Sequence, residues 1–311
     1  MRIISLLASA TETVCALSEE RSLVGRSHEC DYPPSIMHLP VCTESRIDAT
    51  ASSVAIDEQV KNSLRNALSL YQVRVGELER LRPDVLITQA QCEVCAVSLK
   101  DVEEAVCSMV GSRPKIVSMN PNALADVWTD IMQIAEAIGV PVKGMALVAD
   151  MKERIQQVSD RANGWGRRPT VACIEWIDPL MAAGNWMPEL VELAGGVNLF
   201  GEKGKHSPWM TFDDLYQADP DIIIALPCGF DLERTKKEMP ALTSKPGWER
   251  LRAVRNGRVH VADGNAYFNR PGPRLVEALE MLAEAIQPGA FAFGWEGMEV
   301  YKSPPSPVYI S

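Results

Sequence analysis

Pro141-Val-Lys-Gly-Met-Ala-Leu-Val-Ala-Asp-Met-Lys-Glu-Arg-Ile-Gln-Gln-Val-Ser-Asp-Arg-Ala162 is the stretch whose reading decides the fold. Met145, Val148, Met151, Ile155 and Val158 recur every three or four residues, which puts one apolar stripe on one helical face. Lys152, Glu153, Gln156, Gln157 and Asp160 fall off that stripe, and Asn163-Gly164 supplies a helix stop. At about 1.5 Å per residue the helix is roughly 30 Å long, the width of a small domain. It reads either as an ordinary amphipathic surface helix or as a rigid strut joining two lobes. What flanks it raises the second reading.

On its N-terminal side, Ile3 to Leu7 reads as an apolar strand, followed by a helix from Thr11 to Leu17 with Ser9 or Thr11 as N-cap. A short strand Leu23-Val24-Gly25 opens onto Ser27-His28-Glu29-Cys30-Asp31-Tyr32-Pro33-Pro34, a loop that two prolines make stiff and extended. Ile56 to Leu81 reads as helix, Val85 to Thr88 as buried strand, Gln89 to Ser98 as loop. Helix Leu99 to Val110, strand Lys115 to Ser118 and helix Ala123 to Ile138 complete this half. Beyond the strut the grammar repeats: strand Thr170 to Trp176, loop Ile177 to Trp186, and helix Met187 to a Gly195-Gly196 stop. Ala218-Asp219-Pro220-Asp221-Ile222-Ile223-Ile224-Ala225 mirrors Leu81-Arg82-Pro83-Asp84-Val85-Leu86-Ile87-Thr88, and each segment runs into a cysteine-containing loop. Strand Val259 to Val261, loop Asp263 to Pro273 and helix Arg274 to Ile286 follow.

This pattern is an internal duplication of strand–loop–helix units. Short, uniformly apolar strands alternating with helices imply an α/β fold of two lobes, each a parallel sheet flanked by helices. The expected divisions are a lobe over 1–140, the joining helix over 141–163, a lobe over 164–290 and a tail over 291–311. The tail is rich in aromatics and prolines and reads as a docking arm or as poorly ordered chain. Ligands of such sheets sit beyond the carboxyl ends of the strands, so the loops at Ser9, His28, Cys92, Trp176, Cys228 and Tyr267 are expected to share a cleft.

A net charge of −10 over 311 residues argues against nucleic acid and anionic membrane as partners. No apolar run is long enough to span a bilayer, and Met1 to Ala10 reads better as strand and loop than as a signal peptide. Eight cysteines without a small-scaffold disulfide pattern favour a reducing, cytoplasmic compartment, with periplasm or organelle as the alternative if a leader has been removed.

His28-Glu29-Cys30 and Cys92-Glu93-Val94-Cys95 carry ligand types suited to zinc or iron, and His28, Cys30, Cys92 and Cys95 would supply four donors if the loops meet. Cys92 and Cys95 could instead form a redox pair, or be partly buried thiols beneath a pocket. Tyr32, Trp176, Trp186, Trp209, Phe230, Tyr267 and Phe268 gather in the same class of loops, as the walls of a flat apolar ligand would, although any one could cap a lobe core. No phosphate-cradling glycine loop and no nucleophile elbow is present. Glu175, Asp178, Asp213 and Asp263 are possible acid–base groups. Arg270-Pro271-Gly272-Pro273-Arg274 could bind an anionic substituent, but a stiff turn into the last helix is favoured.

Taken together, Arg2 to Glu12, Asp31-Tyr32-Pro33-Pro34, Arg82 to Ile87, Leu193 to Asn198, Ser207-Pro208-Trp209 and Ala218 to Ile223 resemble the helical-backbone (class III) periplasmic-binding-protein-like family of ABC importers, a chelatase-like architecture, and within it the cobalamin-binding branch. The resemblance implies a non-enzymatic binder of cobalamin or a related corrinoid or metallated tetrapyrrole, with Tyr32 and Trp209 as pocket walls and Trp176 and Phe230 as additions. The expected ligand-binding set is Ser9, His28, Glu29, Cys30, Tyr32, Cys92, Trp176, Trp186, Trp209, Cys228, Phe230 and Tyr267. His28, Cys30 or Cys92 is the candidate cobalt ligand. An ABC importer permease is the implied partner, docked through acids such as Glu44 and Glu189 or Glu192. The alternatives are a zinc or iron protein built on His28, Cys30, Cys92 and Cys95, and a thiol-dependent cofactor-modifying enzyme.

Overall fold

A computed structural model describes residues 1–65, 70–90, 99–109 and 113–302. Two compact units are present. The first comprises Met1–Gln157 together with Lys203–Lys205 and Arg270–Val276; the second comprises Val158–Glu202, His206–Asn269 and the chain from Glu277 onward.

The first unit is built on four parallel strands, β1 (Ile3–Ser5), β2 (Leu23–Arg26), and two that follow the small strands β3 (Thr43–Ser45) and β4 (Tyr71–Val73), namely β5 (Val85–Gln89) and β6 (Lys115–Met119). The sheet order is β2-β1-β5-β6. Its helices are α1 (Ala8–Ala16), α2 (Ser53–Arg65), α3 (Val75–Leu81), α4 (Leu99–Ser108) and α5 (Leu124–Ala137). Successive strand residues point to opposite faces. Ile3, Val85, Ile87, Val117 and Met119 therefore pack with Ala10 and Val14 of α1 and Ile134 of α5, whereas Ile4 and Leu86 pack with Leu78, Leu81, Val102 and Val106. Both faces are covered, which is why the central strands carry the apolar runs Ile3-Ile4 and Val85-Leu86-Ile87.

The long helix is α6 (Pro141–Asn163), and it ends on the Asn163-Gly164 stop. Val148, Met151, Ile155 and Val158 are buried as the stripe predicts, but Met145 is exposed. Gly144 lets α6 approach α5, since a Cβ there would lie 2.5 Å from that of Ala135.

In the second unit the sheet is β12-β11-β10-β7-β8, with β9 beside β7. The strands are β7 (Thr170–Trp176), β8 (Met181–Ala182), β9 (Val197–Asn198), β10 (Ile222–Ala225), β11 (Val259–Ala262) and β12 (Met298–Val300). Helices α7 (Met187–Leu193), α8 (Phe212–Ala218), α9 (Leu232–Thr243), α10 (Arg252–Arg255) and, from Glu277 onward, α11 (Leu275–Ile286) complete the unit. The duplication holds down to single hydrogen bonds. Asp84 Oδ2 accepts from Arg2 N at 2.7 Å before β1, and Asp221 Oδ2 accepts from Thr170 N at 3.0 Å at the start of β7. The preceding residues Arg82 and Asp219 both take a left-handed conformation to end their helices.

Three expectations are corrected. Ile56 to Leu81 is not one helix: Tyr71–Val73 forms a strand antiparallel to Thr43–Ser45, because a β-branched and aromatic run finds a partner there. Helix α1 begins at Ala8, so Ser9 and Thr11 are inside it and Leu7 occupies the N-cap without a side-chain cap. The second sheet is mixed, because β8 and β12 run antiparallel. Strand β12 belongs to the tail, which is docked as far as residue 302: Trp295 Nε1 donates to Glu280 and Phe291 stacks on Phe293. No helix among the described residues is long and apolar enough to cross a membrane.

Candidate ligand-binding loops

In the first unit the loop after β2 leaves the carboxyl end of the sheet. The buried guanidinium of Arg26 donates to the carbonyls of Ser27, Cys30 and Met37, holding the loop at both ends. His28 is tied through both its backbone N–H and its ring Nδ1 to Thr43 Oγ1, at 3.1 and 2.8 Å. Burial lowers its pKa. Glu29 Oε1 accepts from Tyr71 Oη at 3.3 Å; about a third of its side chain (35%) is open, yet the surrounding protein raises the carboxyl to about 7, with Arg270 acting in the opposite sense.

The loop is then gripped from a distant part of the chain. Arg270 donates to Asp31 through two nitrogens and to Glu12 Oε1 at 2.9 Å. Arg274 lies 3.9 Å from Glu12, and its guanidinium sits 4.2 Å from the ring centroid of Tyr32. Tyr32 remains 43% exposed. Burial drives the Glu12 carboxyl up to about 7 against the pull of Arg270. The turn at Pro271-Gly272-Pro273 packs on α1, since a Cβ on Gly272 would lie 3.2 Å from Ser9. Ser9 is 1% exposed and its Oγ has no hydrogen-bond partner among the described residues, so it lies beneath the loop and not on its surface. The stiff-turn reading of Arg270 to Arg274 accords with this geometry. Its ionic role was invisible in the sequence, because no local spacing marks an arginine that pairs with acids more than two hundred positions away.

In the second unit Trp209 is the most open of the expected aromatics at 58% exposure, held beside the end of β7 by a bridge to Met181. Trp176 is half-buried and packs on Phe230 with centroids 5.2 Å apart, while Arg234 covers Phe230 at 3.8 Å. Phe230 is 2% exposed and Trp186 is 5% exposed with Nε1 donating to Phe268 O, so both belong to the interior. Phe268 is fully buried, and Tyr267 packs against Gly297. Cys228 is half-buried.

The acid–base candidates have structural partners or open surroundings. Glu175 Oε2 accepts from Ser207 Oγ, Asp263 Oδ1 caps the turn at Ala266, and Asp213 is exposed in the first turn of α8. Asp178 is half-buried beside Pro179. The metal expectation is corrected for Cys30. This thiol is fully buried in the core, accepts from Thr11 Oγ1 at 3.0 Å and is pushed up to about 11 by burial. No group of three His, Cys, Asp or Glu is placed to hold a metal among the described residues. Cys92 and Cys95 lie outside the described residues.

The profile of a family described as periplasmic binding protein matches residues 3–266. The chain belongs to that family. This binding protein is 24% identical to YvrC of Bacillus subtilis, an ABC transporter substrate-binding lipoprotein, over 93% of its own length and 81% of the relative. It is 23% identical to a vitamin B12-binding protein of Vibrio cholerae, over 92% of its length and 89% of the relative. A periplasmic heme-binding protein of Pseudomonas aeruginosa shares the fold, with a TM-score of 0.73 at 21% identity, covering 98% of this chain and 99% of that one.

The cytoplasmic expectation is overturned by these comparisons. The family is periplasmic by description, and the relatives include a lipoprotein of an importer, which points outside the cytoplasm. The inference failed because it took unpaired cysteines as a redox signal. Cys30, Cys42 and Cys173 are buried in apolar surroundings, where a thiol serves as a small hydrophobe whatever the compartment. Of the acids expected to meet a permease, Glu44 pairs with Arg74 at 2.9 Å, Glu189 is half-buried and Glu192 is exposed.

Proposed function

We propose that this binding protein carries cobalamin or a related corrinoid, without chemical turnover, for delivery to an ABC importer permease. Tyr32 and Trp209 are its main aromatic contacts. The observation that carries the reading is that each unit has an open aromatic residue, a tyrosine in one and a tryptophan in the other, at the carboxyl end of its own sheet, where α/β folds take their ligands. A flat macrocycle has large apolar faces, and exposed aromatic rings with rigid surroundings offer contact area at small entropic cost. The relative named as a vitamin B12-binding protein, aligned over nearly the whole chain, supports a corrinoid. The likeness to a heme-binding fold supports the wider class of metallated tetrapyrroles.

Cobalt ligation by the protein is not part of this reading. Cys30 is buried, and His28 is held at Nδ1 by Thr43 with its Nε2 3.9 Å from Glu29 Oε1, so the reading rests on the aromatic rings alone. Titration with cyanocobalamin and hydroxocobalamin, followed by absorbance and calorimetry, is expected to give saturable one-to-one binding. Recovered ligand should be chemically unchanged, and the His28→Ala protein should give the wild-type spectrum. Absence of cobalamin binding would overturn the proposal, whether or not hemin binds.

A further inference from the structure

We infer that the wall around Tyr32 selects a neutral, amide-bearing macrocycle over one bearing free carboxylates, with Glu12, Asp31, Arg270 and Arg274 as the specificity-determining set. This rests on the tetrapyrrole reading above and decides between ligands within it. Cobalamin presents neutral carboxamide arms around its rim, whereas heme presents two propionates.

A wall that receives propionates needs a cation whose charge is not already met. Arg270 is 6% exposed and is held by Asp31 at 2.6 and 3.0 Å and by Glu12 at 2.9 Å. Arg274 is 11% exposed at its side chain, with Glu12 3.9 Å from one nitrogen and the Tyr32 ring against its face. Arg270 therefore carries its counter-charge, Asp31, inside the wall, and Arg274 shares Glu12 with it. Next to Tyr32 in the chain, the Asp31 carboxylate keeps 49% of its side chain exposed. An approaching carboxylate meets the Asp31 carboxylate, of its own sign, and at Arg274 it competes with Glu12 and finds one face of the guanidinium covered by the Tyr32 ring. An amide arm meets the same surface as a donor, and N–H groups to carboxylates make charge-assisted hydrogen bonds. Like charges across a binding surface are a common source of discrimination. The net charge of −10 acts in the same direction.

The test holds the macrocycle constant and changes only charge. Binding of cyanocobalamin is compared with that of its isomeric monocarboxylic acids, in which one rim amide is hydrolysed, for the wild-type, Asp31→Asn and Glu12→Gln proteins. At least one acid is expected to bind wild type ten-fold or more weakly than the parent. Raising salt should narrow the gap, since exposed charges are screened. In Asp31→Asn, or in the isosteric Glu12→Gln should the first variant fold poorly, the ratio of acid to parent dissociation constants should fall several-fold. Equal affinity of the parent and every acid for wild type would overturn the inference, as would a weakening that neither variant relieves. Failure to bind the parent compound would instead sink the functional proposal.

Discussion

Arg270 grips Asp31 through two hydrogen bonds of 2.6 and 3.0 Å, one to each carboxylate oxygen, joining residues 239 positions apart. The same guanidinium also reaches the 2%-exposed side chain of Glu12, so one residue orients the Tyr32 loop and neutralises a buried acid. Removing one partner of a buried pair leaves the other charged and desolvated. Arg270→Met is expected to destabilise the protein by about 3 kcal/mol. Adding Glu12→Gln should restore part of that loss, as read by urea unfolding.

Asp130 lies on α5 with one carboxyl oxygen buried and without a hydrogen-bond partner among the described residues, and burial raises it from 3.8 to about 7. A raised carboxyl binds its proton more tightly folded than unfolded, so stability falls as pH climbs from about 4 to about 7. Asp130→Asn removes this loss. Relative to wild type the variant should gain stability between pH 4 and pH 8, by at most about 4 kcal/mol at about 1.4 kcal/mol per pH unit. Urea midpoints across that range check it, and a parallel pH dependence of the two proteins would contradict it.

Tyr32 and Trp209 are open, whereas Trp186 is closed over a hydrogen bond to Phe268. Tyr32→Ala and Trp209→Ala are each expected to weaken cobalamin binding about ten-fold or more with little change in melting temperature. Trp186→Ala should instead cost about 3–5 kcal/mol of stability. Calorimetry paired with thermal melts separates these outcomes.

Burial lifts the thiols of Cys30 to about 11 and of Cys42 and Cys173 to about 12. Thiolate is the reactive form, so these three should resist alkylation at neutral pH until the protein unfolds. The exposed Cys107 should react in the native state. Peptide-resolved mass spectrometry after brief labelling reads the difference directly.

The two Asp84 and Asp221 anchors differ in their surroundings. Asp221 is 13% exposed and also holds Thr170 Oγ1, Arg167 and Arg252. Asp84 Oδ2 accepts from the Arg2 N–H in an exposed setting. Asp221→Ala should therefore cost about 2–3 kcal/mol and Asp84→Ala about 1 kcal/mol, measured by chemical denaturation.

Much of this molecule is written in short windows of its chain. Period-3.6 apolar spacing is visible within twenty residues, so α6 and its stop were legible at Pro141 to Gly164. The twin Pro-Asp strand entries revealed the duplication, because each helix stop, turn and strand start is a local event. The same windows placed Tyr32 in a loop that follows a strand and put Trp209 in a loop. Where the windows misled, a partner from elsewhere had overridden local preference, as at Tyr71–Val73, which pairs with Thr43–Ser45.

By itself, then, the sequence determined the alternation of apolar strands and helices, the repeat and the aromatic loops, because burial periodicity and turn chemistry act between neighbours. Only the tertiary structure decided that Cys30 is interior, that the tail adds an antiparallel edge strand and that Arg270 closes on Asp31 and Glu12. Those outcomes depend on which distant groups folding brings within a few ångströms. An acid and a base carry no mark of each other along the chain, since their attraction depends on separation in space and on exclusion of water.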